Sequence, residues 1–283
     1  MAPIIRVDAD GVVTLTFTRP EKLNAVSPQM WNFIRDTLDE FAGRDDLRAL
    51  VITAEGRYFT AGNDQMERDD LLGRSGPPIW FREGVNIDEI LKINIRREYR
   101  RLHLLFDELE AVEKPIIVAI QGRCLGVGVE MAVSCDFRLA SDQASFWVPE
   151  IVRVGALPGS GGISRLTRLV GPHWARWLSM AGQEVSAELA VTMGLVHAVY
   201  PAETFAADVQ AFARKLIEIP ADLLGAAKIG IDMAADVDRT SARNFDRLAN
   251  TIFLTSPGYL QQKRDFERRS SERSQRPAEP TRE

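Results

Sequence analysis

KPIIVAIQGRCLGVGVEMAVSCDFRLA, residues 114–140, is the stretch whose reading decides the fold. Its first part, Pro115 to Ile120, is an apolar run of strand length that stops at Gln121-Gly122, as a strand buried on both faces does. Glycines follow at 126 and 128, a helix is expected from Glu130 to Cys135, and a further strand from Phe137 to Ala140. A strand running into glycines and then into a helix exposes main-chain N–H groups at a helix N-terminus. There the dipole is positive and an oxyanion is stabilised. Gly126 and Gly128 let a ligand approach that backbone, and a plain tight turn is the alternative reading. A dinucleotide-binding fingerprint fails, because Met131 stands where its third glycine belongs.

Outward from this block, Ala49 to Thr53 (ALVIT) reads as another short buried strand. The N-terminus reads as a hairpin, IIRV and VVTLTF joined by the turn DADG. Ser27-Pro28 caps a helix whose apolar face is Trp31, Ile34, Leu38 and Phe41. Leu102, Leu105, Phe106, Leu109 and Val112 mark a second amphipathic helix. The irregular stretch before it, Arg68 to Asn94, is long for a connector and is expected to form a lid or binding loop. A strand at Ala144 to Val148 and a helix starting near Gly162 continue the alternation, so the fold class is α/β. After Pro201 only helical periodicity remains, and the charged tail SSERSQRPAEPTRE is expected to be disordered. The expected divisions are a core over 1–200, a helical region over 201–269 and a tail over 270–283.

Composition narrows the chemistry. A chain of 283 residues with 45% apolar side chains buries a substantial core without disulfides, and Cys124 and Cys135 read as buried free thiols of a reducing compartment. A net charge of −5 gives no general attraction to nucleic acid or anionic lipid. No apolar run has the length of a membrane span, and a cytoplasmic protein is expected. The three histidines, His103, His173 and His197, are scattered, which disfavours a His-based metal site or a Ser-His-Asp triad.

Carboxylates remain as the candidate chemistry. Glu130 falls in the first turn after the glycines, where the dipole favours negative charge, although an ordinary first-turn glutamate looks the same. Glu150 lies in SFWVPEI, an apolar setting that raises a buried carboxyl's pKa, and a solvent-facing glutamate is the alternative. The loop YFTAGND offers Ala61 and Gly62 before Asn63 and Asp64; taken alone it is a turn. RPEKLNAV, residues 19–26, reads by default as solvated surface charge around an Asn-Ala turn. PGSGG (158–162) lacks the Lys-Ser/Thr of a phosphate loop and reads as tight packing before a helix.

These four blocks, in this order, resemble the crotonase (enoyl-CoA hydratase/isomerase) superfamily from the first hairpin to Arg269. RPEKLNAV is similar to its R-P-x-x-x-N-A segment and YFTAGND to its F-x-A-G-x-D loop. Residues 114–140 resemble its K-P-x-I-A…G-G-G block, and FWVPEIVRVGALPGSGGISRL (146–166) its P-E-x-x-x-G-x-x-P-G-x-G-G-x-x-R-L stretch. The resemblance implies a spiral of ββα repeats with a C-terminal helical trimerisation region, assembling as a homotrimer or hexamer. It implies an acyl-CoA substrate, no cofactor beyond its CoA moiety, and no nucleic-acid or membrane partner. By position it implies Glu130 and Glu150 as catalytic acid/base pair and the Asn63 and Val127 amides as oxyanion hole. Lys22, Ala25, Ala61, Asp64, Gln65, Phe266 and Arg269 would line CoA. The implied reaction is hydration of a 2-enoyl-CoA. Δ3-Δ2-enoyl-CoA isomerisation, another acyl-CoA lyase or hydrolase reaction, and simple acyl-CoA binding are the alternatives. The family's glycine triplet reads Gly126-Val127-Gly128 here, and Trp147 stands beside Glu150, both features that narrow an acyl pocket.

Overall fold

Period-two alternation along the central strands sorts their side chains onto two buried faces. In the computed structural model, which describes residues 2–64 and 93–274, one sheet has the order β1 (Ile4–Ala9), β2 (Val12–Phe17), β3 (Ala49–Ala54), β5 (Ile116–Ile120), β7 (Phe137–Ser141) and β10 (Ala198–Tyr200). A second sheet has the order β4 (Tyr58–Thr60), β6 (Arg123–Leu125), β8 (Ser145–Trp147) and β9 (Val185–Ser186). Pairing is parallel except for the β1–β2 hairpin and the β8–β9 edge. The hairpin turns through Asp10 and Gly11, both at positive φ, the geometry that matches strand twist.

One face of the large sheet presents Leu15, Phe17, Leu50, Ile52, Ile116, Val118 and Ile120 to the main core. That core is closed by helices α1 (Pro28–Gly43) and α2 (Ile93–Ala111) and by Phe59, Cys124 and Phe146 of the small sheet. The other face presents Val12, Ala49, Val51, Ile117, Ala119 and Leu139 to Phe205, Val209, Ala213 and Leu216. Burial on both sides is why ALVIT and PIIVAI read as unbroken apolar runs. The Ser27 hydroxyl accepts from the Met30 amide at 3.3 Å and caps α1, while Lys114 donates to the Phe41 and Arg44 carbonyls at its far end.

Among the described residues this unit also has the α-helices α3 (Val127–Ala132), α4 (Gly162–Ala175), α5 (Ala187–Thr192) and α6 (Phe205–Ile217). Helix α4 kinks at Gly171, where φ is 76°, immediately before Pro172. Because α6 seals the second face of the sheet, the compact unit runs through Glu218, beyond the division expected at residue 200.

The second unit, Ile219–Glu283, contains α7 (Ala221–Asp236), α8 (Arg239–Phe253) and α9 (Pro257–Ser274). Gly230 of α7 meets Phe245 of α8, and Asp238 caps α8 through the Thr240 and Ser241 amides. Helix α9 continues to Ser274, so the first residues of the segment expected to be disordered are helical. Local contacts favour this, an Arg268–Asp265 ion pair and the Ser271 hydroxyl on the Glu267 carbonyl. No helix among the described residues is long and apolar enough to cross a membrane.

Candidate active site

Strands β4, β6 and β8 run parallel and end at one edge of the small sheet, and each continues into a segment carrying a candidate residue. Thr60 pairs with Cys124 and Leu125 with Trp147, so Ala61–Asp64, Gly126–Glu130 and Val148–Glu150 leave the sheet side by side. The carboxyl ends of parallel strands are where α/β folds collect ligands. Pairing extends past the strand end through the Gly126 N–H, which donates to the Trp147 carbonyl at 2.9 Å.

Gly126, with φ 56° and ψ −122°, turns the chain directly into α3. The helix therefore starts at Val127, three residues before the predicted start, because a single glycine completes the turn. Gly128 packs against the Thr60 side chain and the Cys124 sulfur, leaving no room for a β-carbon. At the other end of α3 the buried Arg138 guanidinium donates to the Ala132, Cys135 and Leu195 carbonyls. Glu130 is thus carried on a helix held at both ends.

Glu130 is 4% exposed, and its Oε1 accepts the Ser160 and Gly162 N–H groups, each at 3.0 Å. PGSGG is consequently more than packing: its amides form a cradle for a carboxylate. Gly161 sits at φ 90°, and the Glu130 carboxyl rests on the α-carbon of Gly162. Burial first, and then the charge of Glu150, push the Glu130 carboxyl up to about 7, against the pull of the two amides.

Glu150 opens a π-helical turn, Glu150–Val154. Its Oε1 lies over Gly126, where a β-carbon would stand 2.6 Å away. Its Oε2 is buried without a hydrogen-bond partner among the described residues. Burial raises its pKa as well. The charge of Glu150 thus reaches Glu130, while the Glu150 carboxyl lies over Gly126 and the Glu130 carboxyl over Gly162. Trp147 is fixed in the wall by its indole N–H on the Gly182 carbonyl at 2.8 Å, with the Arg153 guanidinium over its ring.

Asn63 forms a parallel bridge with Val26, closed by Val26 N–H to the Gly62 carbonyl and by Asp64 N–H to the Val26 carbonyl. Successive amides alternate in direction, so the Asn63 N–H points away from Val26. Gly62 faces the Leu125 carbonyl, which sets the Asn63 loop beside the turn bearing Val127. The Asn63 side chain accepts from the Trp31 indole N–H at 2.9 Å, and Trp31 packs edge-on to Phe106.

RPEKLNAV departs from its surface-charge reading. Arg19 is 7% exposed, and its guanidinium pairs with Asp64 at 3.0 Å and donates to the Ala25 carbonyl. A buried carboxylate and a buried guanidinium compensate each other, which is why neither is solvated. Asn24, left-handed at φ 51°, accepts the Arg19 N–H and donates to the Glu55 and Tyr58 carbonyls. Ala61 N–H donates to the Leu23 carbonyl, and Lys22 is exposed with its Nζ 4.0 Å from Asp64. Gln65 lies outside the described residues, as does the expected loop up to residue 92. Phe266 and Arg269 are exposed on α9 of the second unit.

Two contributors escaped the sequence reading. The Ser160 and Gly162 amides have a signal in retrospect, glycines before a helix; Trp31 had none beyond its place in a helical period. Among the described residues no group of His, Cys, Asp and Glu is disposed to hold a metal.

The enoyl-CoA hydratase/isomerase family model matches residues 8–256. Crotonyl-CoA hydratase of Syntrophomonas wolfei is 32% identical over 247 residues, covering 86% of this chain and 87% of that protein. 1,2-Epoxyphenylacetyl-CoA isomerase of Escherichia coli is 31% identical over 243 residues, covering 84% and 87%. The crystal structure of an enoyl-CoA hydratase from Bacillus anthracis superposes with a TM-score of 0.82 at 25% identity, covering 94% and 96%. The chain belongs to the enoyl-CoA hydratase/isomerase family, the crotonase superfamily, and has its α/β fold of ββα repeats with a C-terminal helical region.

Proposed function

We propose that the chain is a 2-enoyl-CoA hydratase that adds water syn across the 2,3 double bond. The observation that carries this reading is the pair of buried carboxyls, Glu130 cradled at Gly162 and raised by the charge of Glu150, and Glu150 lying over Gly126. Burial raises both carboxyls and the charge of Glu150 raises Glu130 further, so one can stand protonated as acid while the other, ionised, serves as base. In this reading Glu130, oriented by two amides on Oε1, takes a proton from water as its oxygen attacks Cβ. The π electrons move to the thioester oxygen, where the Asn63 and Val127 amides stabilise the enolate-like charge. Glu150 gives its proton to Cα, and transfer of the proton from Glu130 to Glu150 restores the pair.

Lys22, Ala25, Ala61, Asp64, Gln65, Phe266 and Arg269 are the residues we assign to CoA, with Phe266 and Arg269 supplied by helices that assemble the chain as a homotrimer or hexamer. The buried Arg19 pair gives Asp64 a bracing part as well, holding the Asn63 loop to the segment before α1. Double-bond isomerisation is the second reading. Glu150 favours it, since one carboxyl with an unpaired oxygen suffices to move a proton between carbons.

The test is to incubate the protein with crotonyl-CoA, 2-decenoyl-CoA and cinnamoyl-CoA and follow the conjugated thioester absorbance. Hydration removes it; no loss with any of the three sinks the hydratase reading. A 3-enoyl-CoA supplied in parallel gains that absorbance if the protein is an isomerase.

A further inference from the structure

The two amides that hold Glu130 belong to a stretch with glycine at 159, 161 and 162, a backbone too pliable to keep them in place unaided. Side chains from α2 and α4 supply the stiffness. His103 donates from Nε2 to the Gly159 carbonyl at 2.9 Å, and the Tyr99 ring lies against the Gly159 α-carbon. Arg165 donates from Nη1 to the Ser160 carbonyl at 3.3 Å, and its guanidinium covers the α-carbon of Gly161. The rest of its fork is tied to α2, with Nε on Glu110 Oε1 at 2.8 Å and Nη2 on Asp107 and on Glu110 Oε2. Its side chain is 11% exposed, although Asp107 and Glu110 face solvent, so the clamp rests on the geometry of the fork more than on ion-pair strength.

We infer that Arg165 is a positioning residue for Glu130: it clamps the Ser160 carbonyl to α2 and so keeps the Ser160 and Gly162 amides trained on the Glu130 carboxylate. This rests on the proposed role of Glu130. The guanidinium suits the task because a rigid planar fork holds a carbonyl and two carboxylates together, which an ammonium on a flexible stem does not. Helix α2 thereby acquires a part in the chemistry without touching the reacting atoms.

The experiment compares Arg165→Met, Arg165→Lys and Glu110→Gln for kcat, KM and the acid limb of the rate profile. The probe is whichever of crotonyl-, 2-decenoyl- or cinnamoyl-CoA the unaltered protein turns over fastest. Arg165→Met is expected to lower kcat by about 10- to 100-fold with KM within about twofold, as misplaced catalytic groups do, and Arg165→Lys to fall between. Loosened amides stabilise the Glu130 carboxylate less, so the acid limb moves to higher pH. Titrating neighbours are Glu150 on the turn after β8 and His103, Asp107 and Glu110 on α2. Glu110→Gln separates geometry from charge, because losing a negative charge alone moves the limb down, whereas loosening moves it up. If Arg165→Met does not fold, Glu110→Gln decides alone.

Unchanged kcat and acid limb in the folded variants overturn the inference, and so does a loss carried wholly by KM. Full turnover by Glu130→Gln overturns the proposed function instead. If no enoyl-CoA is turned over, amide hydrogen exchange still decides: Ser160 and Gly162 are expected to exchange faster in Arg165→Met, and unaltered exchange there overturns the clamp.

Discussion

The Oε1 atom of Glu150 lies on the α-carbon of Gly126, with 2.6 Å left for any β-carbon. The two residues meet because β6 and β8 pair in parallel and the Gly126 amide prolongs that pairing. Glycine is required there twice over, for its φ of 56° and for the carboxyl it must admit.

Gly126→Ala is therefore expected to displace Glu150 and strain the turn into α3. Turnover should fall by at least ~100-fold, the scale of a lost acid/base group. Steady-state kinetics alongside near-ultraviolet circular dichroism check this; a folded variant with full turnover contradicts it.

Titration of the pair ties stability to pH. Glu130 is raised in the folded protein from 4.5 to about 7, so between those values the folded state binds more protons than the unfolded chain. Stability then falls as pH rises through that window, since ionising the buried carboxyl is unfavourable. Glu130→Gln keeps an oxygen for the Ser160 and Gly162 amides but removes the charge. It is expected to be more stable than the unaltered protein at pH 8, by up to roughly 3 kcal/mol. The gain should shrink as pH falls through that window and vanish below pH 4.5. Denaturant unfolding at the two pH values measures it.

Trp31→Phe removes the indole donor to Asn63 and retains a ring against Phe106. A loss of about 1 kcal/mol in stability is expected for the hydrogen bond. Turnover should drop by a few fold as the Asn63 loop loosens. Asn63→Ala keeps the main-chain amide and should behave alike, and the double variant should be no worse than either single one. Additive losses in that cycle would show that the bond does not couple the two residues.

Arg19→Met leaves the Asp64 carboxylate buried without its guanidinium, with Lys22 4.0 Å away as partial compensation. Destabilisation of about 3–5 kcal/mol is expected, as for other broken buried pairs. Arg19→Met combined with Asp64→Leu should recover part of it, as read by urea unfolding.

Much of the scaffold was legible. Ile116–Ile120 and Ala49–Ala54 announce themselves because both their faces are buried, and Ser27-Pro28 announces α1 because a cap and a first-turn proline are local chemistry. Tyr58–Thr60, Arg123–Leu125 and Val185–Ser186 are too short to show alternation, and their pairing lies between distant parts of the chain. Their register is what assembles the site. Arg19 read as solvated because nothing near it in sequence reveals Asp64, its partner 45 residues on.

By itself the sequence determined which segments are apolar on which period, where glycines interrupt them, and the family they resemble. Those properties reside in neighbouring residues. Tertiary structure alone decided that Glu130 and Glu150 share one site, that the Ser160 and Gly162 amides cradle the first, and that burial raises both carboxyls. Proximity across the fold comes from strand register and helix packing, and a carboxyl's acidity comes from the water it has lost; neither is a property of the residue or of its neighbours in the chain.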